Sequence, residues 1–175
     1  MKVDVTKDLM QNDFESNIYN MIQQISKIYF KIGSATLMLV FLDQLIKNLA
    51  QKYVLAPYSF LPWASIRYEQ NTGIAWSIPF PYPLLIIVNL LLVIILPIFI
   101  VKYFDIRQAR TQIILIMMMA GGLGNMLDRV FRGYVIDYIS VGWFPVFNLA
   151  DSLLTISIFL LLLFYDKILG VSKSK

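Results

Sequence analysis

The chain has 175 residues, of which 58% are hydrophobic and 15% are charged, and its formal net charge is +4. Its mean hydropathy of +0.68 is typical of a membrane protein with one domain. It contains no cysteine and no histidine, which excludes disulfides, thiol nucleophiles, Ser-His-Asp triads and histidine-based zinc sites, and its scattered basic residues predict no nucleic-acid partner.

The N-terminal segment, residues 1–27, is polar and mixed in sign. Apolar side chains recur there at spacings of three and four, at Phe14, Ile18, Met21 and Ile25. This periodicity predicts an amphipathic helix, and a disordered tail is the alternative. The segment lacks the charged start and the small-residue cleavage site of a secretory signal, so we expect a retained cytoplasmic extension.

The first predicted membrane span runs from about residue 28 to residue 49 and carries Asp43, Gln44 and Lys47 near its end. Asp43 and Lys47 are one helical turn apart, which predicts an ion pair whose lysine extends toward the membrane surface. The alternative places both groups at the rim of a polar site.

The loop after the first span has two stretches in which apolar and polar residues alternate. The first covers residues 65–70 and the second includes Ile74, Trp76 and Ile78, with an Asn-Thr-Gly sequence between them. Two short strands about an Asn/Gly turn fit this pattern. An irregular loop with tryptophans at the level of the lipid headgroups is the alternative.

Three more apolar stretches follow, at about residues 83–101, 113–127 and 148–165. The first of them has Asn89 as its only polar side chain, and its 19 residues match a hydrocarbon core about 30 Å thick. The sequence therefore predicts an all-α polytopic membrane protein with four transmembrane helices. Its predicted parts are the extension (1–27), a membrane domain (28–166) and a basic cytoplasmic tail (167–175).

The distribution of basic residues predicts the orientation of these spans. With four spans both termini lie on one side, and that side carries ten of the 15 lysines and arginines. The positive-inside rule then places the termini in the cytoplasm. Asp43, Asp137 and Asp151 are consequently expected to meet at the outer face.

Three acids, Asp128, Asp137 and Asp151, lie within 24 residues where the third and fourth spans are connected. A carboxylate beside a hydrocarbon phase loses hydration worth several kcal/mol, so such acids are functional candidates. Asp128 is followed at once by Arg129, which predicts a structural ion pair between these neighbours. Asp137 interrupts an apolar run.

Polar residues also continue along one face of each of the last two spans. A face of this kind must point toward the protein interior or a water-filled cleft, although helix capping alone would explain Asn148 and Asp151. These faces comprise Gly121, Asn125 and Asp128 on the third span and Asn148, Asp151, Ser152 and Thr155 on the fourth.

The chemistry available to Asp137 and Asp151 depends on how close they lie. In a partly dry site both cannot stay ionised, so the pair would share a proton. One carboxylate would deprotonate a water while its protonated partner binds a substrate carbonyl, which is acid-base peptide hydrolysis. A proton-coupled carrier is an equal alternative on physical grounds. A Ser-Lys peptidase using Lys47 and a non-catalytic scaffold are further alternatives.

Five short blocks stand out between about residues 28 and 165. They are Asp43-Gln44-x-x-Lys47, Asn71-Thr72-Gly73-Ile74-Ala75-Trp76, Gly121-Gly122-Leu123-Gly124-Asn125-x-x-Asp128-Arg129, Gly133-Tyr134-Val135-Ile136-Asp137-Tyr138 and Phe144-Pro145-x-Phe147-Asn148-x-Ala150-Asp151. In order and position these blocks resemble those of the lipoprotein signal peptidase family, signal peptidase II. Ile74 and Tyr138 depart from the usual alanine and phenylalanine, and residues 1–27 exceed the usual start.

The resemblance implies an aspartic endopeptidase that removes signal peptides from diacylglyceryl-modified prolipoproteins at the outer face of the bacterial cytoplasmic membrane. It implies a four-helix bundle with a small extracytoplasmic β-sheet, a catalytic pair of Asp137 and Asp151, and no metal or other cofactor. The expected partners are lipid-modified prolipoproteins and membrane lipid, and we expect a monomer. The implied substrate-site residues are Asn71, Gly73, Gly121, Asn125, Asp128, Arg129, Asn148 and Ala150, supported by Asp43 and Lys47.

Overall fold

The computed structural model describes residues 5–74 and 78–168, with side chains described from residue 15 to 74 and from 78 to 165. Within these ranges the chain forms four helices and one three-stranded sheet. In chain order the elements are α1 (Val5–Tyr53), β1 (Tyr58–Leu61), β2 (Ala64–Asn71), α2 (Tyr82–Tyr103), α3 (Ala109–Arg132), β3 (Val135–Val141) and α4 (Leu149–Ile168).

Three helical segments in the described part of the chain are long and apolar enough to cross a membrane: Glu15–Tyr53, Tyr82–Tyr103 and Ala109–Arg132. The apolar segment Leu149–Tyr165 within α4 is shorter. Each predicted span coincides with one helix, and α3 extends the predicted third span at both ends. The predicted class, a mostly helical membrane protein with a small sheet, is confirmed at this level.

Helix α1 runs without interruption from Val5 to Tyr53. The described part of the N-terminal segment is therefore helical and continuous with the first apolar segment. Side chains from residue 15 to residue 24 are exposed. Lys52 lies in the last turn, where its positive charge complements the negative end of the helix dipole.

The sheet has the antiparallel order β1-β2-β3. The predicted strand at residues 65–70 is confirmed as part of β2. In the predicted second strand, Ile74 and Ile78 do not belong to a strand, and residues 75–77, which include Trp76, lie outside the described part of the chain. Ile74 lies in a bend, and its N–H donates to the Ile78 carbonyl at 3.1 Å. β2 pairs with β1 and with β3. Pro79 and Pro81, which follow Ile78, lack the N–H donors that a longer strand there would need.

Helix α3 lies at the centre of the helical packing and contacts α1, α2 and α4. Its glycines permit close approach: a Cβ on Gly121 would lie 2.4 Å from the Ala150 carbonyl oxygen, and one on Gly122 would lie 2.8 Å from Val93. Such separations are too short for any larger residue. The packing brings the C-terminal ends of α1 and α3 and the N-terminal end of α4 together beside β3.

Candidate active site

A cavity of about 540 Å³ opens where α3, α4, β3 and the loop after β2 meet. Part of its wall is apolar and part carries amide, carboxylate and guanidinium groups. The polar lining residues are Asn71, Asn125, Arg129, Asp137, Asp151, Ser152 and Thr155, and the apolar ones include Ile74, Phe144, Pro145, Leu154 and Ile156.

Asp137 lies on β3 and is 2% exposed. Its Oδ1 accepts a hydrogen bond from Asn148 Nδ2 at 2.7 Å, and its Oδ2 accepts one from Asn71 Nδ2 at 3.0 Å. Burial, and next the negative charge of Asp151, raise the pKa of Asp137 to about 7, against the smaller lowering effect of the two amides. The carboxyl group is therefore able to hold a proton at neutral pH.

Asp151 lies in the first turn of α4, where Asn148 caps the helix. The Asp151 N–H donates to Asn148 Oδ1 at 2.9 Å, and the Asn148 N–H donates to Asp151 Oδ2 at 3.2 Å, which is the reciprocal arrangement of a capping box. Asp151 Oδ1 accepts from Asn125 Nδ2 at 2.7 Å. The capping alternative and the predicted polar face therefore both occur.

Two asparagine amides join the carboxylates of Asp137 and Asp151. Asn148 Nδ2 donates to Asp137 Oδ1 and also to Asn125 Oδ1 at 3.2 Å, while the Asn125 amide nitrogen donates to Asp151. Asn148 is fully buried and Asn125 lines the cavity. Since both amides have several partners, their orientations are restricted, and they fix the position of the Asp137 carboxyl group relative to that of Asp151.

Tyr138, one of the departures from the family pattern, has a structural use. Its hydroxyl oxygen accepts a hydrogen bond from the Leu149 N–H at 3.2 Å, which satisfies one of the free donors at the start of α4. Burial raises the pKa of Tyr138 to about 12, so the hydroxyl stays neutral. The residue next to Asp137 thereby helps to hold the helix that carries Asp151.

A second polar group, which we call the buried ion cluster, consists of Asp43, Lys47, Asp128 and Arg132. Lys47 Nζ lies 2.8 Å from Asp43 Oδ2, 2.9 Å from Asp128 Oδ2 and 3.0 Å from the Oδ1 atom of Asn125. The predicted pair of Asp43 and Lys47 exists, but the prediction that the lysine extends to the membrane surface is wrong. Lys47 is fully buried because these three oxygens satisfy its three donors.

The predicted ion pair between Asp128 and Arg129 is not what the structure has. Asp128 pairs with Lys47 and with Arg132, which is one helical turn away. Adjacent residues on a helix point in different directions, so Arg129 is directed elsewhere. Its Nη2 donates to the Gly73 carbonyl at 3.3 Å and its Nη1 to Asn89 Oδ1 at 3.4 Å.

The predicted site residues fall into two groups. Those that line the cavity are Asn71, Asn125, Arg129, Asp137 and Asp151; those buried behind it are Asp43, Lys47, Gly121, Asp128, Asn148 and Ala150. Gly73 is buried in the loop after β2 and binds Asn71 and Arg129 through its backbone. The Ala150 N–H donates to Asp43 Oδ1 at 3.0 Å, which ties the ion cluster to the start of α4.

Sequence reasoning missed Arg132 and the contact of Asn89 with Arg129. The spacing of four residues between Asp128 and Arg132 was a signal for the first, and the isolated polar side chain in an apolar span was a signal for the second. The Ser-Lys alternative has no support from Lys47, whose three partners are all oxygens of other side chains. Ser152 donates to the Asn148 carbonyl at 2.9 Å.

The arrangement fits acid-base hydrolysis. It offers two carboxyl groups on one cavity, one of them with a pKa of about 7, and amide donors around them. Among the described residues there is no group of three or more acidic side chains that could hold a metal ion.

Comparison with known proteins gives consistent similarities. Residues 35–166 match the family model described as "Signal peptidase (SPase) II". The lipoprotein signal peptidase of Streptococcus pneumoniae is 37% identical over 137 residues, covering 75% of this chain and 90% of that protein. The one from Chlorobium phaeobacteroides is 30% identical over 146 residues, covering 74% and 92%. A solved bacterial membrane enzyme superposes with a TM-score of 0.68 at 26% identity, over 83% of this chain and 93% of that chain.

Proposed function

The chain belongs to the signal peptidase II family, and on that premise we propose that Asp137 and Asp151 are its catalytic pair. The family is one of proteases, and this chain is a membrane peptidase that removes signal peptides from prolipoproteins. The observation that supports the catalytic assignment is the joint position of the two carboxyl groups on one cavity, linked through Asn125 and Asn148.

The proposed reaction begins with Asp137 protonated and Asp151 ionised. Asp151 takes a proton from a water in the cavity while the water oxygen attacks the carbonyl carbon of the scissile bond, and Asp137 gives its proton to the carbonyl oxygen. The tetrahedral intermediate then collapses. Its C–N bond breaks while Asp151 passes its proton to the leaving nitrogen, and one hydroxyl of the intermediate returns a proton to Asp137. The raised pKa of Asp137 supports this division of roles.

Substrate contact is assigned to the residues of the cavity wall. Asn71, Asn125 and Arg129 line the cavity, and their amide and guanidinium groups suit the backbone of an extended peptide. The buried members of the predicted site, including Asp43, Lys47 and Asp128, support this wall from behind. Gly121 and Ala150 permit the close packing of α3 on α4 that sets the spacing of the site.

We also propose that all four helices cross the bilayer, which places both termini on the same side, and that this side is the cytoplasm. α4 has 20 residues, about 30 Å at 1.5 Å per residue, which suffices to span the hydrocarbon core. The charge asymmetry supports this orientation in the cytoplasmic membrane, with the site at the outer face. The proposed organisation is a cytoplasmic extension (1–27), a membrane domain (28–166) and a basic tail (167–175), working as a monomer.

The substrate is proposed to be diacylglyceryl-modified and to enter sideways from the bilayer. Each methylene exposed to water costs about 0.8 kcal/mol, so the acyl chains of such a substrate stay in lipid. The apolar part of the cavity wall, with Phe144, Leu154 and Ile156, provides an apolar surface beside the acyl chains of the substrate. The polar part then receives the scissile bond.

One assay tests this function. Purified protein is incubated with a prolipoprotein peptide carrying a diacylglyceryl-modified cysteine, and in parallel with the same peptide carrying an unmodified cysteine. We expect cleavage just before the modified cysteine and little cleavage of the unmodified control, measured by mass spectrometry. Equal cleavage of both peptides would contradict the lipid requirement, and cleavage of neither would contradict the peptidase assignment.

A further inference from the structure

Asn89 is the only polar side chain between residues 83 and 101, and the proposed mechanism does not use it. It lies two turns into α2 and is 8% exposed. Its Nδ2 donates to the Leu85 carbonyl at 2.8 Å, which turns Oδ1 toward α3. A polar group in a membrane span is costly unless it is paired, so the partner of Oδ1 indicates what the residue does.

That partner is Arg129. Its Nη1 donates to Asn89 Oδ1 at 3.4 Å and its Nη2 donates to the Gly73 carbonyl at 3.3 Å. The Tyr82 hydroxyl donates to the Arg129 carbonyl, which adds a second link between α2 and this turn of α3. A guanidinium group is planar, so holding one of its nitrogens restricts the direction of the other.

From Gly73 the hydrogen bonds continue to the catalytic pair. The Gly73 N–H donates to Asn71 Oδ1 at 3.0 Å, which leaves the amide nitrogen of Asn71 to donate to Asp137 Oδ2 at 3.0 Å. An unbroken series of side-chain and backbone contacts therefore connects the interior of α2 to the carboxyl group of Asp137. We call residues 71–74 the site loop.

We propose that Asn89 is a positioning residue: it fixes the Arg129 guanidinium so that Arg129 holds the site loop and, through Asn71, sets the orientation of Asp137. The expected effect of Asn89 on cleavage rests on the proposed function. Its expected effect on the site loop is independent of that function. The negative charges of Asp151 and Asp137 attract the Arg129 guanidinium. Without Asn89, Arg129 is free to move from Gly73 toward these acids, and the site loop loses its support.

The chain has no cysteine, which allows the site loop to be observed directly. Thr72 is exposed, so Thr72→Cys provides a single attachment site for a nitroxide spin label. Electron paramagnetic resonance spectra of the purified, labelled full-length protein are compared with Asn89 intact and with Asn89→Leu. Cleavage of the diacylglyceryl-modified peptide is measured on unlabelled protein that keeps Thr72.

We expect Asn89→Leu to increase the mobility of the label and to lower kcat/KM about tenfold, the effect of losing roughly one hydrogen bond to a charged group. Asn89→Asp keeps an acceptor oxygen for Arg129 and should preserve the immobile spectrum. Ser157→Ala is the matched control, because it also removes a buried side-chain hydrogen bond to the backbone of its own helix and is not part of the cavity wall. It should change neither measurement.

An unchanged label spectrum in Asn89→Leu would overturn the proposal, whatever the cleavage rate. A mobile label with normal kcat/KM would overturn the link from the site loop to Asp137. If Asn89→Leu does not fold, Asn89→Ala removes the same acceptor oxygen and is tested in its place. The label measurement needs no substrate, so a failure of the proposed function would appear only in the peptide assay and would be distinguishable.

Discussion

The buried ion cluster and the proposed catalytic pair, Asp137 and Asp151, use the same residue type in two opposite ways. Asp43 and Asp128 are fully buried, and each lies within 3 Å of the Lys47 ammonium, while Asp128 also pairs with Arg132. Asp137 and Asp151 line a cavity, and among the described residues neither forms an ion pair with a lysine or arginine. Two negative and two positive charges balance in the cluster, whereas the hydrogen bonds to Asp137 and Asp151 come from uncharged amide groups.

This difference distinguishes carboxylates with a structural role from those proposed to react with substrate. The cluster carboxylates have cationic partners, one for Asp43 and two for Asp128, so they serve to connect helices. On the proposed mechanism, carboxyl groups that have only uncharged amides as hydrogen-bond partners share a proton. The two groups are nevertheless connected, since Asn125 accepts from Lys47 and donates to Asp151. The ion cluster thus supports the proposed catalytic pair through Asn125.

The largest effect is expected at the pair. Asp137→Asn and Asp151→Asn should each lower the cleavage rate at least about a thousandfold, roughly 4 kcal/mol of barrier, because a pair that shares one proton cannot work with one member permanently neutral. The rate is measured with the lipid-modified peptide. Neither substitution should lower the thermal unfolding temperature, and substantial turnover by either variant would remove the aspartic mechanism.

Removal of a charge from the ion cluster should mainly lower the free energy of unfolding. Lys47→Met leaves Asp43 without a cationic partner in the interior and Asp128 with Arg132 alone, which costs about 3–5 kcal/mol. A lower unfolding temperature in detergent is the measurement. The double variant Asp43→Asn/Lys47→Met keeps the Asp128 and Arg132 pair and should recover most of the loss. If the single variant unfolds like the unchanged protein, the contrast between the two groups is wrong.

The sequence allowed the helices and the position of the acids to be predicted because both depend on local patterns. Apolar stretches of about 20 residues identify spans, and an acid in an apolar run, such as Asp137, has few uses other than a buried or functional one. The polar face of Asn148, Asp151, Ser152 and Thr155 followed from helical periodicity. Of these, Asp151, Ser152 and Thr155 line the cavity.

What the sequence did not predict depends on contacts between distant segments. The alternation in residues 65–70 indicates a strand, but it does not say that its partner is β3, more than 60 residues later. In the same way, proximity in sequence favoured Arg129 as the partner of Asp128, whereas helix geometry selects Arg132. The full burial of Lys47 required knowledge that Asp128 and Asn125 approach it from another helix.

The pH dependence of the cleavage rate should further distinguish the proposed catalytic pair from the buried ion cluster. With a pKa of about 7, Asp137 loses its proton near neutral pH, so the rate should fall about tenfold per pH unit above that range. An acid limb, where the second carboxyl group is protonated, completes a bell-shaped profile whose two constants belong to the pair. EDTA should leave the profile unchanged. A rate lost on EDTA treatment and restored by added zinc or magnesium would indicate metal chemistry instead.

The same shift predicts a dependence of stability on pH. The pKa of Asp137 is raised above the 3.8 of an ordinary aspartate, so the folded protein binds more protons than the unfolded chain between pH 4 and pH 7. The stability contributed by this group is complete below the unfolded pKa and is lost as the pH rises through about 7. Unfolding temperatures measured from pH 5 to pH 8 should therefore fall less for Asp137→Asn than for the unchanged protein.

The smallest effect is expected far from both groups. Residue 24 lies 19 residues before Asp43 on the continuous helix α1, about 28 Å away at 1.5 Å per residue, and side chains 15 to 24 are exposed. Deletion of residues 2–24 should therefore leave the ion cluster, the catalytic pair and the site loop intact. We expect the unfolding temperature and the cleavage of purified lipid-modified peptide to be nearly unchanged. A truncated protein that folds and inserts but no longer cleaves would show that the N-terminal part of α1 acts on the site, which neither group of acids explains.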